Sequence, residues 1–157
     1  MSPHLPVEVV SGGQTGVDRG ALDAALDAGV PCGGWCPQGR LAEDGRIPDR
    51  YPLVELEGGG YPERTEANVI DSDATVLIYF GGISGGTAET LRLCLVHGRP
   101  FLLLDATELS PARAAVRIAS FVAAHGAARL NFAGPRASGE PRAHAFSREA
   151  VARFLAG

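Results

Sequence analysis

Two glycine-rich segments hold the residues of this 157-residue chain best suited to chemistry. Ser11-Gly12-Gly13-Gln14-Thr15-Gly16 follows a short apolar run, Val7–Val10, and opens a stretch of helical spacing. Gly81-Gly82-Ile83-Ser84-Gly85-Gly86-Thr87 follows the longer apolar run Ala74–Phe80. Glycine takes positive φ and lets backbone approach a ligand closely. A helix behind such a loop offers unpaired N–H groups and the positive end of its dipole. Together these make an anion site. Thr15, Ser84 and Thr87 add hydroxyl donors suited to phosphate oxygens. Tight turning is the other use of these glycines. It explains the second loop, with its four glycines, a Ser and a Thr, less well than the first.

Neither loop fits a familiar nucleotide signature. Ser11 stands where a dinucleotide fingerprint wants glycine, and no strand-ending acid follows about 20 residues on. The second loop has Walker spacing from Gly81 to Gly86, but Thr87 stands where Lys is required. NAD binding and P-loop NTP hydrolysis are therefore rejected.

Polar residues close to these loops are the other candidates. Asp18 and Glu89 fall on the first turns of the helices behind them. A carboxylate there complements the helix dipole, or accepts hydrogen bonds from ligand hydroxyls and amines. Arg136, in Gly134-Pro135-Arg136-Ala137-Ser138, directly follows the last strand. Arginine forks onto phosphate; the other reading is a solvated loop charge. Arg40, in the long segment Pro37–Arg50, shares that ambiguity, Gly39 beside it is a further binding candidate, and Asn131 and Ser138 are weaker ones. Trp35 suits ring stacking or, more simply, core packing. Cys32 and Cys36 lack a zinc-knuckle spacing and a second Cys/His pair, which argues against structural zinc. Cys94, between Leu93 and Leu95, reads as packing. His4, His97, His125 and His144 are scattered, and no Ser/His/Asp arrangement emerges.

The elements that must position these residues alternate. Apolar spacing predicts a strand at Val7–Val10, a helix from Gly16 to Ala28 and a second short strand at Pro31–Cys36. Pro37–Arg50 reads as a long surface loop and Val54–Leu56 as a minor strand. Pro62 suits the first turn of a helix ending near Asp71. Ala74–Phe80 has the continuous apolar character of a central parallel strand. A helix to His97, a buried strand at Phe101–Asp105 and a helix capped by Ser110-Pro111 follow; the last ends at Gly126. Leu130–Ala133 reads as the last strand, Gly134–His144 as a loop and Ser147–Leu155 as the terminal helix. Such alternation predicts one α/β domain over residues 1–157: a Rossmann-like three-layer fold, its mostly parallel sheet flanked by helices on both faces. Both glycine loops then share the carboxyl edge, where open α/β sheets bind ligands.

Composition narrows the partners. A net charge of −4 gives no general attraction to nucleic acid or an anionic membrane. All 14 basic residues are Arg, which excludes a Schiff-base lysine and hence a lysine-linked PLP. Three cysteines fit a reducing compartment better than a disulfide framework. Met1–Pro6 shows no signal pattern, and no apolar run nears the roughly 18 residues of a membrane span. A cytoplasmic, soluble protein is expected.

Four segments carry a family resemblance: Ser11–Asp18 (SGGQTGVD), Gly34–Gly45 (GWCPQGRLAEDG), Gly81–Thr90 (GGISGGTAET) and Asn131–Ser138 (NFAGPRAS). Jointly they resemble the molybdenum cofactor carrier proteins, in order and over nearly the whole chain. That family lies in a superfamily of Rossmann-like nucleotide binders. The superfamily includes the cytokinin-activating phosphoribohydrolases, whose Pro-Gly-Gly-x-Gly-Thr-x-x-Glu motif is similar to Gly81–Thr90. The resemblance implies a homo-oligomer, dimer or tetramer, that binds the pterin phosphate of the molybdenum cofactor and hands it to molybdoenzymes. It also leaves two alternatives: a nucleotide N-glycosidase using Glu89, and a nucleotide-sensing module. This sequence lacks the hydrolase motif's proline, and its glycine spacing is shifted.

Overall fold

The computed structural model describes residues 7–157. Met1–Pro6, with His4 and the expected absence of a signal pattern, lie outside the described residues. Among the described residues, nine strands and five helices follow in order. They are β1 (Glu8–Val10), α1 (Val17–Ala28), β2 (Cys32–Gly33), β3 (Trp35–Pro37), β4 (Leu41–Ala42), β5 (Gly45–Arg46), β6 (Val54–Leu56), α2 (Tyr61–Asp71), β7 (Ala74–Tyr79), α3 (Gly85–Val96), β8 (Phe101–Asp105), α4 (Pro111–His125), β9 (Arg129–Ala133) and α5 (Ala143–Ala156).

The main sheet has five strands in the order β2-β1-β9-β7-β8, and every pairing in it is parallel. From β1 the chain crosses through α1 to β2 on one side, and from β7 through α3 to β8 on the other. The order thus reverses between β1 and β7, with β9 filling the gap. Such a switch point opens a crevice at the carboxyl ends of the strands.

The two faces of the sheet are built differently. Leu130 and Phe132 of β9, with Ala74, Val76 and Ile78 of β7, join the large core under α1, α4 and α5. Side chains alternate along a strand, so Asn131 and Thr75 point to the opposite face, the side of α2 and α3. Both are buried there, and the Asn131 amide donates to Thr75 Oγ1 at 3.3 Å. The apolar cluster on that side is small: Val69, Leu93 and Cys94, with Phe101 against them.

The ends of α4 follow their sequence signals. Ser110 caps α4 by accepting from the Arg113 N–H at 3.2 Å, Pro111 opens the helix, and Gly126 closes it at φ 61°. Ser110→Ala removes that acceptor. We expect a loss of about 1 kcal/mol of stability, read as a melting temperature lower by roughly 2–4 °C. An unchanged melting temperature would show that water replaces the cap.

Four expectations need correction. Pro31–Cys36 is not one strand. Gly34, at φ 134°, sits so close to the backbone that a Cβ there would meet Ser11 O at 2.2 Å. The chain turns at that point, leaving β2 in the main sheet while β3 pairs with β6. Pro37–Arg50 is not a bare surface loop either. It forms the β4–β5 hairpin and buries Ile47 with Leu22, Cys36, Ala42, Tyr51 and Leu53. Phe101–Asp105 is an edge strand and is only partly buried. Finally, α5 starts four residues before Ser147, at Ala143.

Candidate functional site

A cavity of about 500 Å³ opens at the switch point, within the size range of small-molecule sites. Its walls come from the ends of β1, β7 and β9 and from the inward faces of α2 and α3. Those helices turn polar residues toward it: Tyr61, Arg64, Thr65 and Asn68 from α2, Thr87 and Thr90 from α3.

The second glycine loop is open to this cavity. Helix α3 starts inside the loop, at Gly85, with Ser84 as N-cap. The Ser84 side chain makes no capping bond. The N–H groups of Gly85, Gly86 and Thr87 have no acceptor among the described residues. Thr87 is buried and lines the cavity, and its hydroxyl has no partner among the described residues either. A Cβ built on Gly82, Gly85 or Gly86 would meet nothing within 4 Å. Nothing inside the protein requires these three to lack a side chain, apart from the φ of 54° at Gly85.

The first loop is consumed by the protein itself. A Cβ on Gly12 would meet Arg64 Nη1 at 2.2 Å; one on Gly13 would meet Leu53 Cδ1 at 2.3 Å; one on Gly16 would meet Pro135 O at 2.3 Å. The N-terminus of α1 is partnered too, by Val17 N–H on Pro135 O at 3.2 Å and Arg19 N–H on Gln14 O at 3.1 Å. The Gln14 side-chain oxygen accepts from the Thr15 and Glu43 N–H groups. Thr15 donates its hydroxyl proton to Glu43 and accepts from the Ala137 N–H. Glu43 also takes the Ser138 hydroxyl and N–H, and these bonds hold its carboxyl below the usual range.

Asp18 and Arg64 form the charged part of the wall beside β1. Asp18 Oδ2 accepts from the Gln14 N–H at 3.2 Å and lies 3.9 Å from Arg64 Nη1. Burial pushes its carboxyl up to about 6, against the opposing pull of Arg64, the Gln14 and Gly12 N–H groups and Arg19. Arg64 is buried and donates from Nη1 to Gly12 O at 2.7 Å. Its Nη2 has no protein partner among the described residues. A buried guanidinium with a spare donor in a cavity wall is a ready anion contact.

Of the residues singled out from sequence, the cavity gathers Gly12, Gln14, Asp18, Gly82, Ser84, Gly85, Gly86, Thr87, Asn131 and Arg136. Gly13, Thr15, Gly16, Gly39, Arg40, Gly81, Glu89 and Ser138 lie outside its lining. Arg40 is buried elsewhere and donates to the carbonyls of Ile47, Pro48, Tyr51 and Leu53, nailing the Pro37–Leu53 segment together. Gly39 donates to Glu55 and Gly81 to Asp105. Glu89, on the second turn of α3, pairs with Arg92 through both oxygens at 2.6 and 2.9 Å. In the phosphoribohydrolase motif the acid is the third residue after Thr; here that residue is Thr90, which lines the cavity and donates to Gly86 O. Trp35 is also off the cavity, donating to Asp71. All three cysteines are free thiols, pushed up by burial. Among the described residues, no group of three or more His, Cys, Asp or Glu could hold a metal, and no helix is long and apolar enough to cross a membrane.

Tyr61, Arg64, Thr65 and Asn68 were missed. Their spacing is i, i+3, i+4, i+7, the pattern of a core-facing stripe, but filled with polar side chains. A buried-stripe spacing occupied by such residues is the signal that could have found them.

The model of the circularly permutated YpsA SLOG family matches residues 9–155. The chain belongs to that family. It is also similar to a solved crystal structure, that of the protein from Syntrophus aciditrophicus named "Putative molybdenum carrier protein". The two are 42% identical, the match covers 96% of each chain, and the TM-score is 0.92. No curated protein matches the chain. The similarity to this relative supports the broad family assignment drawn from the four sequence segments.

Proposed function

We propose that this protein binds and carries a phosphate-bearing small molecule, the molybdenum cofactor, with the pterin phosphate on the N-terminus of α3. The observation that carries the reading is the open cradle of the second loop. Its first-turn N–H groups and the buried Thr87 hydroxyl lack protein partners among the described residues, and Gly82, Gly85 and Gly86 leave room for close approach. Arg64 Nη2 and Arg136 supply the positive charge that a phosphate dianion needs. The name of the Syntrophus relative, a molybdenum carrier, supports a carrier reading. In this reading, molybdoenzymes receive the cofactor, and a homo-oligomer presents several such cavities.

The N-glycosidase reading depended on Glu89. That carboxylate is paired with Arg92 outside the cavity lining, so the geometry favours binding over cleavage.

The test is gel filtration of the protein after incubation with released cofactor, followed by molybdenum assay and pterin fluorescence. Both signals should co-elute with the protein. Arg64→Met should weaken retention at least about tenfold, the loss of one charge-assisted contact. Folded protein that elutes free of molybdenum and pterin would sink the proposal.

A further inference from the structure

The cavity has two chemically different ends. Strands β1 and β7 both neighbour β9, so their carboxyl ends stand two strand spacings apart, roughly 10 Å. The β7 side carries the anion cradle of α3. The β1 side carries Asp18, a buried carboxyl that a phosphate would avoid. Between them, on β9, lies the buried amide of Asn131, whose oxygen has no hydrogen-bond donor among the described residues. An acid held at one end of an anion site needs a reason, because its charge opposes the ligand that the other end attracts.

We propose that Asp18 is the specificity-determining residue of the cavity: it selects phosphorylated ligands whose far end is a 2-amino-4-oxopyrimidine edge, the edge shared by pterins and guanine. The inference rests on the phosphate reading above and deepens it. An ionised carboxylate only accepts, and it offers two oxygens side by side. The matching partner is a pair of adjacent N–H donors, a ring N–H beside an exocyclic amino group, because two parallel charge-assisted bonds form at once. Asp18 retains acceptor capacity for this, since only the backbone N–H groups of Gln14 and Gly12 engage it by hydrogen bonding. Arg64 on α2 and Arg19 on α1 are the charged groups acting on the carboxyl; they favour its ionised form. The strand spacing suits one small molecule with a phosphate at one end and a ring at the other.

The test is calorimetric titration of the whole chain at pH 7.5 with three probes: guanosine 5′-monophosphate, inosine 5′-monophosphate and ribose 5-phosphate. Inosine monophosphate keeps the ring N–H and lacks the amino group. The guanosine compound should bind roughly 10- to 100-fold more tightly than the inosine one, the value of one hydrogen bond to a charged group. In Asp18→Asn, shown folded by its thermal melt, that advantage should fall to within about twofold, because one amide oxygen cannot accept both bonds. Ribose 5-phosphate affinity should move much less. Equal binding of guanosine and inosine monophosphates to the unmodified protein would overturn the inference. So would an Asp18→Asn variant that loses ribose 5-phosphate as heavily as guanosine monophosphate, because Asp18 would then only shape the loop. If none of the three binds, the phosphate reading itself fails, and this inference fails with it.

Discussion

Gly86→Ala should melt above the unmodified protein and bind phosphate compounds more weakly, while Gly16→Ala should lose the fold's stability instead. Gly86 lies in the first turn of α3 with helical backbone, and an added Cβ meets nothing within 4 Å. Alanine is the better helix former there, by up to about 1 kcal/mol in a helix interior and less at its end. The melting temperature should rise by roughly 1–3 °C. The same methyl group would occupy the space through which a phosphate reaches the helix N–H groups, so affinity should fall at least about tenfold. Gly16 has φ 84°, which L-residues rarely adopt, and its Cβ would stand 2.3 Å from the Pro135 carbonyl, a backbone atom that cannot rotate away. We expect a loss of about 3 kcal/mol or more. Thermal melts and titration with ribose 5-phosphate check both variants. Equal behaviour of the two would refute the division of labour between the loops.

That division is only faintly legible in the one-dimensional chain, where the second loop's four glycines, Ser and Thr fit plain tight turning less well than the first loop does. Both loops read as strand, glycines, helix, and both carry hydroxyl residues at similar offsets. What separates them is who fills the space above the glycines. For the first loop it is Arg64, Leu53 and Pro135, all distant in sequence, so no local pattern announces them. The second loop's emptiness is equally a tertiary fact. The order of elements was far easier to read, because apolar runs such as Ala74–Ile78 are buried along their whole length. Gly34 shows where such reading stops: its conformation is set by Ser11 O across the sheet, and it splits a strand that composition leaves whole. Arg40 and Arg64 show the same limit for charge. Each is a lone Arg in a polar stretch, yet one is spent on four backbone carbonyls and the other keeps a donor for the cavity. Only α2 offered a local clue, its polar stripe at core-facing spacing, and hydrophobic periodicity does not look for that.

Asp18→Asn should stabilise the folded chain at neutral pH. In the native protein burial pushes the carboxyl up to about 6 from an ordinary 3.8. The folded state therefore holds its proton more tightly than the unfolded chain does. Its favourable contribution is present below pH 3.8 and is lost as pH rises through about 6. A displacement of about two pKa units corresponds to roughly 3 kcal/mol of net ionisation cost above that range, with the opposing pull of Arg64 already contained in it. Asn is nearly the same shape, keeps an acceptor for the Gln14 N–H, and carries no charge to desolvate. Urea unfolding should show the variant more stable by roughly 1–3 kcal/mol at pH 7.5, with the gap closing at pH 3.5. A variant less stable at pH 7.5 would mean that the Arg64 pairing outweighs burial. A carboxyl that weakens the fold at neutral pH is what a ligand-reading role predicts. Saturating guanosine monophosphate should accordingly raise the melting temperature of the unmodified protein more than that of Asp18→Asn, because its paired N–H donors are the partners the buried carboxylate lacks when the cavity is empty.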